Sequence, residues 1–371
     1  MRRDDTKPGA LDLVIALCRA LEDEEIRYCH WKSNEAIERS ASGENDLDLL
    51  IDRSDADRFG EVLHRLGFKE ARPPVSREVP GLIDHYGLDA GSGRLVHLQA
   101  HYQLVLGDDM TKNFHLPIER EYLDSTGTGG LIRVPAPEFE LAAFVVRMIL
   151  KHSTWDSQLC LFGKLSASEQ RELTHLLAQV PEPGRASALA DRLPLLPPQL
   201  VERCLRSLES QPSRWARAWT ARSLEQGLAA YARHPRSVDI ARRTVRRGLR
   251  AARHVARTPA RKRFVNGGAL IAVVGPDTGV ATSVVDGLAA RLDNDLAVRR
   301  FHFAKPPGSP SSARAYGQAR RHASNGGISI CDQFPTDRSA PDILIELEPA
   351  DRGRRLDEVL RDARDHIWTG L

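Results

Sequence analysis

Between residues 43 and 51 the chain reads Gly43-Glu44-Asn45-Asp46-Leu47-Asp48-Leu49-Leu50-Ile51, and no other stretch limits the fold so sharply. Acid and apolar residues alternate with the period of two that marks a half-buried strand. On such a strand Asp46 and Asp48 share one face, roughly 6–7 Å apart at Cα from the strand rise. Leu47, Leu49 and Ile51 turn the other way, toward the body of a domain. Two neighbouring carboxylates repel unless a cation lies between them. A hard divalent ion such as Mg²⁺, held by one or two carboxylates together with substrate phosphates, suits that geometry. The acids are accordingly expected to be unpaired in the free protein and to destabilise it slightly until metal arrives. Gly43 gives the sharp corner that presents them at the start of the strand.

Upstream lies Cys29-His30-Trp31-Lys32-Ser33-Asn34, a short strand running into a polar turn. A Ser-containing turn followed at short spacing by Asp-x-Asp and Leu-Leu-Ile resembles the nucleotidyltransferase superfold, the polymerase-beta-like family. The resemblance implies that Lys32, Ser33, Asn34 and Gly43 contact a nucleotide's phosphates. It also implies that Asp46 and Asp48 are the catalytic metal ligands, with Mg²⁺ as cofactor and ATP or another NTP as substrate. The family's glycine before the serine is replaced by Lys32, which cannot offer the same close backbone approach.

Active members carry one more carboxylate on a later strand. Here Arg94–Tyr102 alternates, and the matching candidate is Gln99, a neutral amide that cannot act as a base. His97 and His101 flank it on the same face. They form either a substrate-facing polar stripe or ordinary solvent-facing positions. The preceding elements read as a helix over 11–21, a strand over 26–31, a helix over 56–66 capped by Ser54, an edge strand from Phe68 and a strand over 85–89. A first domain over 1–130 results, a small mixed sheet with helices on one side.

At 371 residues the chain is long enough for two or three domains. The net charge of +3 excludes a globally basic nucleic-acid binder. Cys18, Cys29, Cys160, Cys204 and Cys331 are scattered, odd in number and without a CxxC pair. This predicts a reducing, cytoplasmic setting and no zinc site. No apolar run is long enough to span a bilayer, and the N-terminus opens no signal peptide.

Residues 131–232 read as a helical domain, with segments over 137–152, 166–177, 198–209 and 215–231. Lys151 and His152 resemble the Lys-His that often ends the helix packed on the catalytic sheet, which would make them substrate-facing; a plain helical spacer is the alternative. Residues 233–264 form a basic linker helix. Twelve Arg and Lys between 233 and 263 face a single acid, Asp239. The run Arg242–Arg257 suits phosphate backbones or an anionic membrane. A solvated linker is the favoured expectation, because no aromatic residue interleaves these arginines.

The region 265–371 starts again with a buried strand, Gly267–Val274, then Gly275-Pro276-Asp277-Thr278-Gly279-Val280-Ala281-Thr282-Ser283 and a helix to Leu292. Strand, Gly-rich loop and helix make a phosphate cradle. The run resembles the P-loop of thymidylate kinases, implying nucleotide contacts from Gly275, Asp277, Gly279, Thr282 and Ser283. Val280 and Ala281 replace the second cradle glycine and the essential lysine. Downstream, Ile328–Pro335 resembles the kinase strand ending in Asp-Arg-Tyr-Pro, with Asp332 substrate-facing and Gln333 in place of the arginine. A strand over 341–347 and a helix over 352–367 complete a shrunken parallel α/β unit that has lost its chemistry.

The fold class expected is therefore α/β (α+β). Chains of this fused type often sit in surface-polysaccharide pathways, which suggests a small-molecule or glycan-related acceptor. Three readings stay open: Mg²⁺-dependent nucleotidyl transfer, a catalytically silent nucleotide-sensing or scaffolding protein, and a thymidylate-kinase-type enzyme.

Overall fold

The computed structural model describes residues 9–127, 130–152, 164–210, 212–255, 261–275, 278–293, 296–303, 310–332, 340–347 and 368. The chain is a mixed α/β protein with, among the described residues, a six-stranded mixed sheet, a four-stranded parallel sheet and a two-stranded antiparallel pair. Helix α1 (Asp12–Asp23) buries Val14, Leu17, Cys18 and Leu21, an apolar stripe at helical spacing. Strands β1 (Tyr28–His30), β2 (Leu47–Ile51), β3 (Lys69–Arg72), β4 (Leu82–Asp89) and β5 (Arg94–His101) form the first sheet with β8 (Arg263–Phe264), in the order β1-β2-β5-β4-β3-β8. Among the described residues, β2 and β5 are the one parallel pair of this sheet. Helices α2 (Ile37–Ala41) and α3 (Ala56–Arg65) fill the connections on one side.

Three local expectations are corrected. Strand β2 is buried along its whole length rather than on one face. It is a central strand, with β1 and β5 as neighbours, and both its faces are covered. Strand β3 is not an edge, because β8 pairs with it antiparallel from far along the chain. Ser54 does not cap α3; its amide and hydroxyl instead donate to Asp52 in a short turn just before the helix.

Leu47, Leu49 and Ile51 pack with α1 and α3, while Leu50, Cys29 and Trp31 join the core of the helical layer. Strands β6 (Val105–Leu106) and β7 (Phe114–His115) and helix α4 (Glu119–Asp124) lead to α5 (Pro137–His152), which is buried almost all round. Around it pack α6 (Ala167–Gln179), α7 (Arg185–Arg192), α8 (Pro198–Glu209) and α9 (Arg214–Gly227). Ser166 and Glu169 close a reciprocal capping box at the start of α6.

Helix α10 (Arg236–Val255) is not a solvated linker. The Arg243 side chain is 3 % exposed, 2.9 Å from Asp239 and 3.5 Å from Glu225 of α9. Arg247 pairs with Asp108, and Arg246 donates to the Met110 carbonyl. The helix is docked along one side by ion pairs that the charge run alone does not reveal.

The second sheet is parallel: β9 (Ala269–Val274), β10 (Val298–His302), β11 (Ile328–Asp332) and β12 (Ile343–Glu346), in the order β10-β11-β9-β12. Helices α11 (Thr278–Leu292) and α12 (Pro310–Ser324) flank it. Its core is continuous with Ala71, Tyr86, Leu95 and Phe264 of the first sheet. The first sheet is thus covered partly by the helical layer and partly by the C-terminal unit, and the acids lie on the face between those two covers. The helix expected over 352–367 lies outside the described residues.

Candidate functional site

Three strands bring the site together through their register. Asp48 of β2 stands beside Gln99 of β5, and Gln99 stands beside Asp84 of β4. The period of two puts His97, Gln99 and His101 on the face that carries Asp48. Asp46 lies one residue before β2, and the Gln99 amide approaches it at 3.5 Å. Gln99 thus stands next to both acids.

The acids are not unpaired. Lys32 Nζ is 2.9 Å from Asp48 Oδ1, and His101 Nε2 is 3.3 Å from the same oxygen. Burial by itself would raise the Asp48 pKa, but the Lys32 ammonium and the His101 hydrogen bond override it and hold the carboxyl far below its usual range. His101 and His30 are both lowered, in each case first by burial. The His30 Nδ1 lies 2.6 Å from Asn34 Oδ1.

Asp46 has a different partner. His97 places Nδ1 2.7 Å from Asp46 and Nε2 2.8 Å from Asp84. Both ring nitrogens face carboxylates, which favour a charged imidazole, although the Lys262 ammonium also stands 3.0 Å from Nε2. Burial works against that charge, yet the two carboxylates outweigh it and raise the His97 pKa. Lys262 donates to Asp84 at 2.9 Å, and the His97 ring stacks on Tyr86 at 4.6 Å. Asp84, Gln99 and Lys262 line a cleft of 480 Å³ whose other walls are residues 70–74 and 77–83.

The turn after β1 is also occupied from within. Ser33 adopts a left-handed conformation, φ 59°. Its amide donates to Glu172 at 3.0 Å and its hydroxyl to the same carboxylate at 3.3 Å. The Asn34 amide donates to Glu140 at 3.1 Å, and Arg147 fixes Glu172 at 2.6 Å. Burial pushes the Glu140 pKa up to about 7 against the lowering effect of the Asn34 bonds. The donors that the resemblance assigns to phosphate are thus held by two carboxylates of the helical layer. Gly43 makes a turn at φ 71°, and a Cβ there would meet Leu11 at 2.8 Å. It serves the opposite core rather than the acids.

Lys151 and His152 both reach Glu169, at 3.0 and 3.1 Å. Lys151 and Lys112 also flank Asp109, at 3.3 and 2.8 Å. Burial would raise the Asp109 pKa, but the two lysines bring it down to about 2.

In the C-terminal unit α11 begins at Thr278, so Gly279, Thr282 and Ser283 lie on its first turns. Asp277 lies outside the described residues. Thr282 donates to Asp332 at 3.2 Å, and His302 lies 2.6 Å from the same carboxylate. The Ser283 hydroxyl donates back to the Gly279 carbonyl. Gly275 is required by close packing, since a Cβ there would stand 2.9 Å from Leu347 Cβ. Ala281, the position that the resemblance gives to the kinase lysine, is 2 % exposed and packs into the apolar core.

Among the described residues no group of three His, Cys, Asp or Glu side chains stands ready to hold a metal ion. As arranged, the donor set does not fit a resident Mg²⁺. The Asp48 oxygen that would bind it already faces an ammonium and an imidazole, Asp46 is matched to His97, and Gln99 adds no charge.

Asp84, Lys262, Glu140 and Glu172 escape a reading of the sequence. Asp84 carries a signal there, an acid within a largely apolar strand ahead of Tyr86. Lys262 has none, because only the pairing of β8 with β3 brings it to the site. No family model, no curated protein and no solved structure matches the chain.

Proposed function

We propose that the chain is a catalytically silent nucleotide-sensing or scaffolding protein built on a nucleotidyltransferase-like site. The observation that carries this reading is the Lys32 ammonium, 2.9 Å from Asp48. It supplies internally the positive charge that a metal would bring, and His97 Nδ1 occupies Asp46 at 2.7 Å. The carboxylates on Ser33 and Asn34 and the buried Ala281 support the same conclusion.

A second reading draws on one specific feature. Asp46 is 49 % exposed in its side chain and is approached by Gln99, which lines the open cleft with Asp84 and Lys262. That is room for an acceptor beside an acid. Mg²⁺-dependent transfer of a nucleoside monophosphate from ATP or another NTP to a small-molecule or glycan-related acceptor would use it, provided Lys32 leaves Asp48.

The experiment is a thermal melt and a pyrophosphate-release assay on the full chain, with a panel of NTPs, with and without Mg²⁺. The silent reading expects no pyrophosphate and the same nucleotide-linked shift with and without the metal. Pyrophosphate release that requires Mg²⁺ and disappears in Asp46→Asn/Asp48→Asn would establish the transferase instead.

A further inference from the structure

Helix α10 has two unlike sides. The docked side carries Arg243 and Arg247 in their ion pairs. The opposite side carries Val238, Ala241, Val245, Leu249 and Ala252, all exposed and spaced as one helical stripe. Val238 is 40 % exposed, Val245 61 % and Leu249 45 %. Arg242 borders that stripe, and Arg250 is exposed farther round the helix. Asp239, the single acid of the helix, is buried in its pair with Arg243 and leaves the free side without negative charge.

We propose that the free side of α10 docks the protein onto an anionic lipid surface. An aliphatic stripe with exposed arginines on a helix lying flat is the chemistry of interfacial binding: the stripe enters the headgroup boundary and the guanidinium groups stay with the phosphates. A nucleic acid would use the arginines but has no need of Val245 and Leu249, and no aromatic side chain interleaves them for stacking. A second copy of the chain would bring two basic borders together, which charge repulsion opposes.

Sedimentation of the full chain with vesicles tests this, using phosphatidylcholine containing about 30 % phosphatidylglycerol against phosphatidylcholine alone. Binding is expected only to the anionic vesicles and is expected to fall as salt screens the arginines. Each exposed arginine near such a surface contributes about fivefold, so Arg242→Gln/Arg250→Gln should weaken partitioning about twenty-five-fold. Val245→Glu/Leu249→Glu should abolish it while the melting temperature stays unchanged, because both side chains are exposed. No sedimentation with anionic vesicles, or binding that survives Val245→Glu/Leu249→Glu, would overturn the proposal. Tight binding of RNA or DNA that the arginine substitutions remove and the glutamates spare would assign the surface to nucleic acid instead. A concentration-dependent dimer lost in the glutamate variant would assign it to a second copy.

Discussion

Replacing Lys32 by methionine keeps much of the side chain's length and removes the charge beside Asp48. The pair is largely shielded, with side-chain exposures of 25 % for Lys32 and 11 % for Asp48. Deleting one member of a buried pair costs about 3–5 kcal/mol, because the partner's charge stays buried without compensation. Here His101, 3.3 Å away, is able to take up a proton in its place. In the native protein burial, and then the Lys32 charge, keep the His101 pKa low. Without Lys32 that repulsion vanishes and the folded-state pKa of His101 rises. A histidine raised in the folded state adds stability below its unfolded pKa and loses it as pH rises through the folded value. The deficit of Lys32→Met should therefore be about 1 kcal/mol near pH 6 and about 2–3 kcal/mol near pH 8. Urea denaturation of both proteins at the two pH values measures it. A deficit under about 0.5 kcal/mol at both, as for an exposed pair, or one that is equal at both, would refute the coupling of Lys32, Asp48 and His101.

Other substitutions probe the remaining networks. Arg243→Gln strands Asp239, while Glu225 keeps Arg236 at 2.9 Å, and should destabilise by about 2–4 kcal/mol, whereas Arg242→Gln, at the exposed border of the helix, should change stability by under about 0.5 kcal/mol; parallel urea titrations compare them. Glu140, with its pKa raised to about 7, holds a proton in the folded state that the unfolded chain has already released, so native stability should fall as pH rises toward 7. Glu140→Gln keeps the carbonyl that accepts from Asn34 and should remove that slope, gaining about 1–3 kcal/mol near pH 8; chemical denaturation across the pH range checks it. Ala281→Lys should yield no dTDP from ATP and dTMP and should lower stability by about 2–4 kcal/mol, since it buries an unpaired ammonium in the apolar core; product analysis and a melt read the two effects.

Elements governed by local periodicity are legible in the amino-acid sequence alone. The helix at 198–209 begins on a proline that needs no amide partner, and α6 is announced by its Ser-x-x-Glu box. The β9 strand is a continuous apolar run, and the alternation of 94–101 marks β5 and the shared face of His97, Gln99 and His101. These properties depend on residues within a few positions of one another. The chain order of side chains fixes them regardless of what packs nearby.

Charge compensation obeys no such locality. Lys32 and Asp48 are close enough in sequence to be noticed, yet only the antiparallel pairing of β1 with β2 decides that the turn after one strand overhangs the acids of the other. Glu172 reaches Ser33 across 139 positions, and Lys262 reaches Asp84 across 178. The same distance rule explains the basic segment. Its sequence reads as uniformly charged, but burial of Asp239 and Glu225 beneath one side of α10 selects which arginines are tied down and which border the open stripe. The cost of leaving a buried charge without a partner is several kcal/mol, and a folded chain meets it by bringing cation to acid from wherever the topology allows. Sequence therefore determined which residues carry charge and on which face of a strand or helix they stand. The tertiary structure decided that the acid pair faces the protein's own cations.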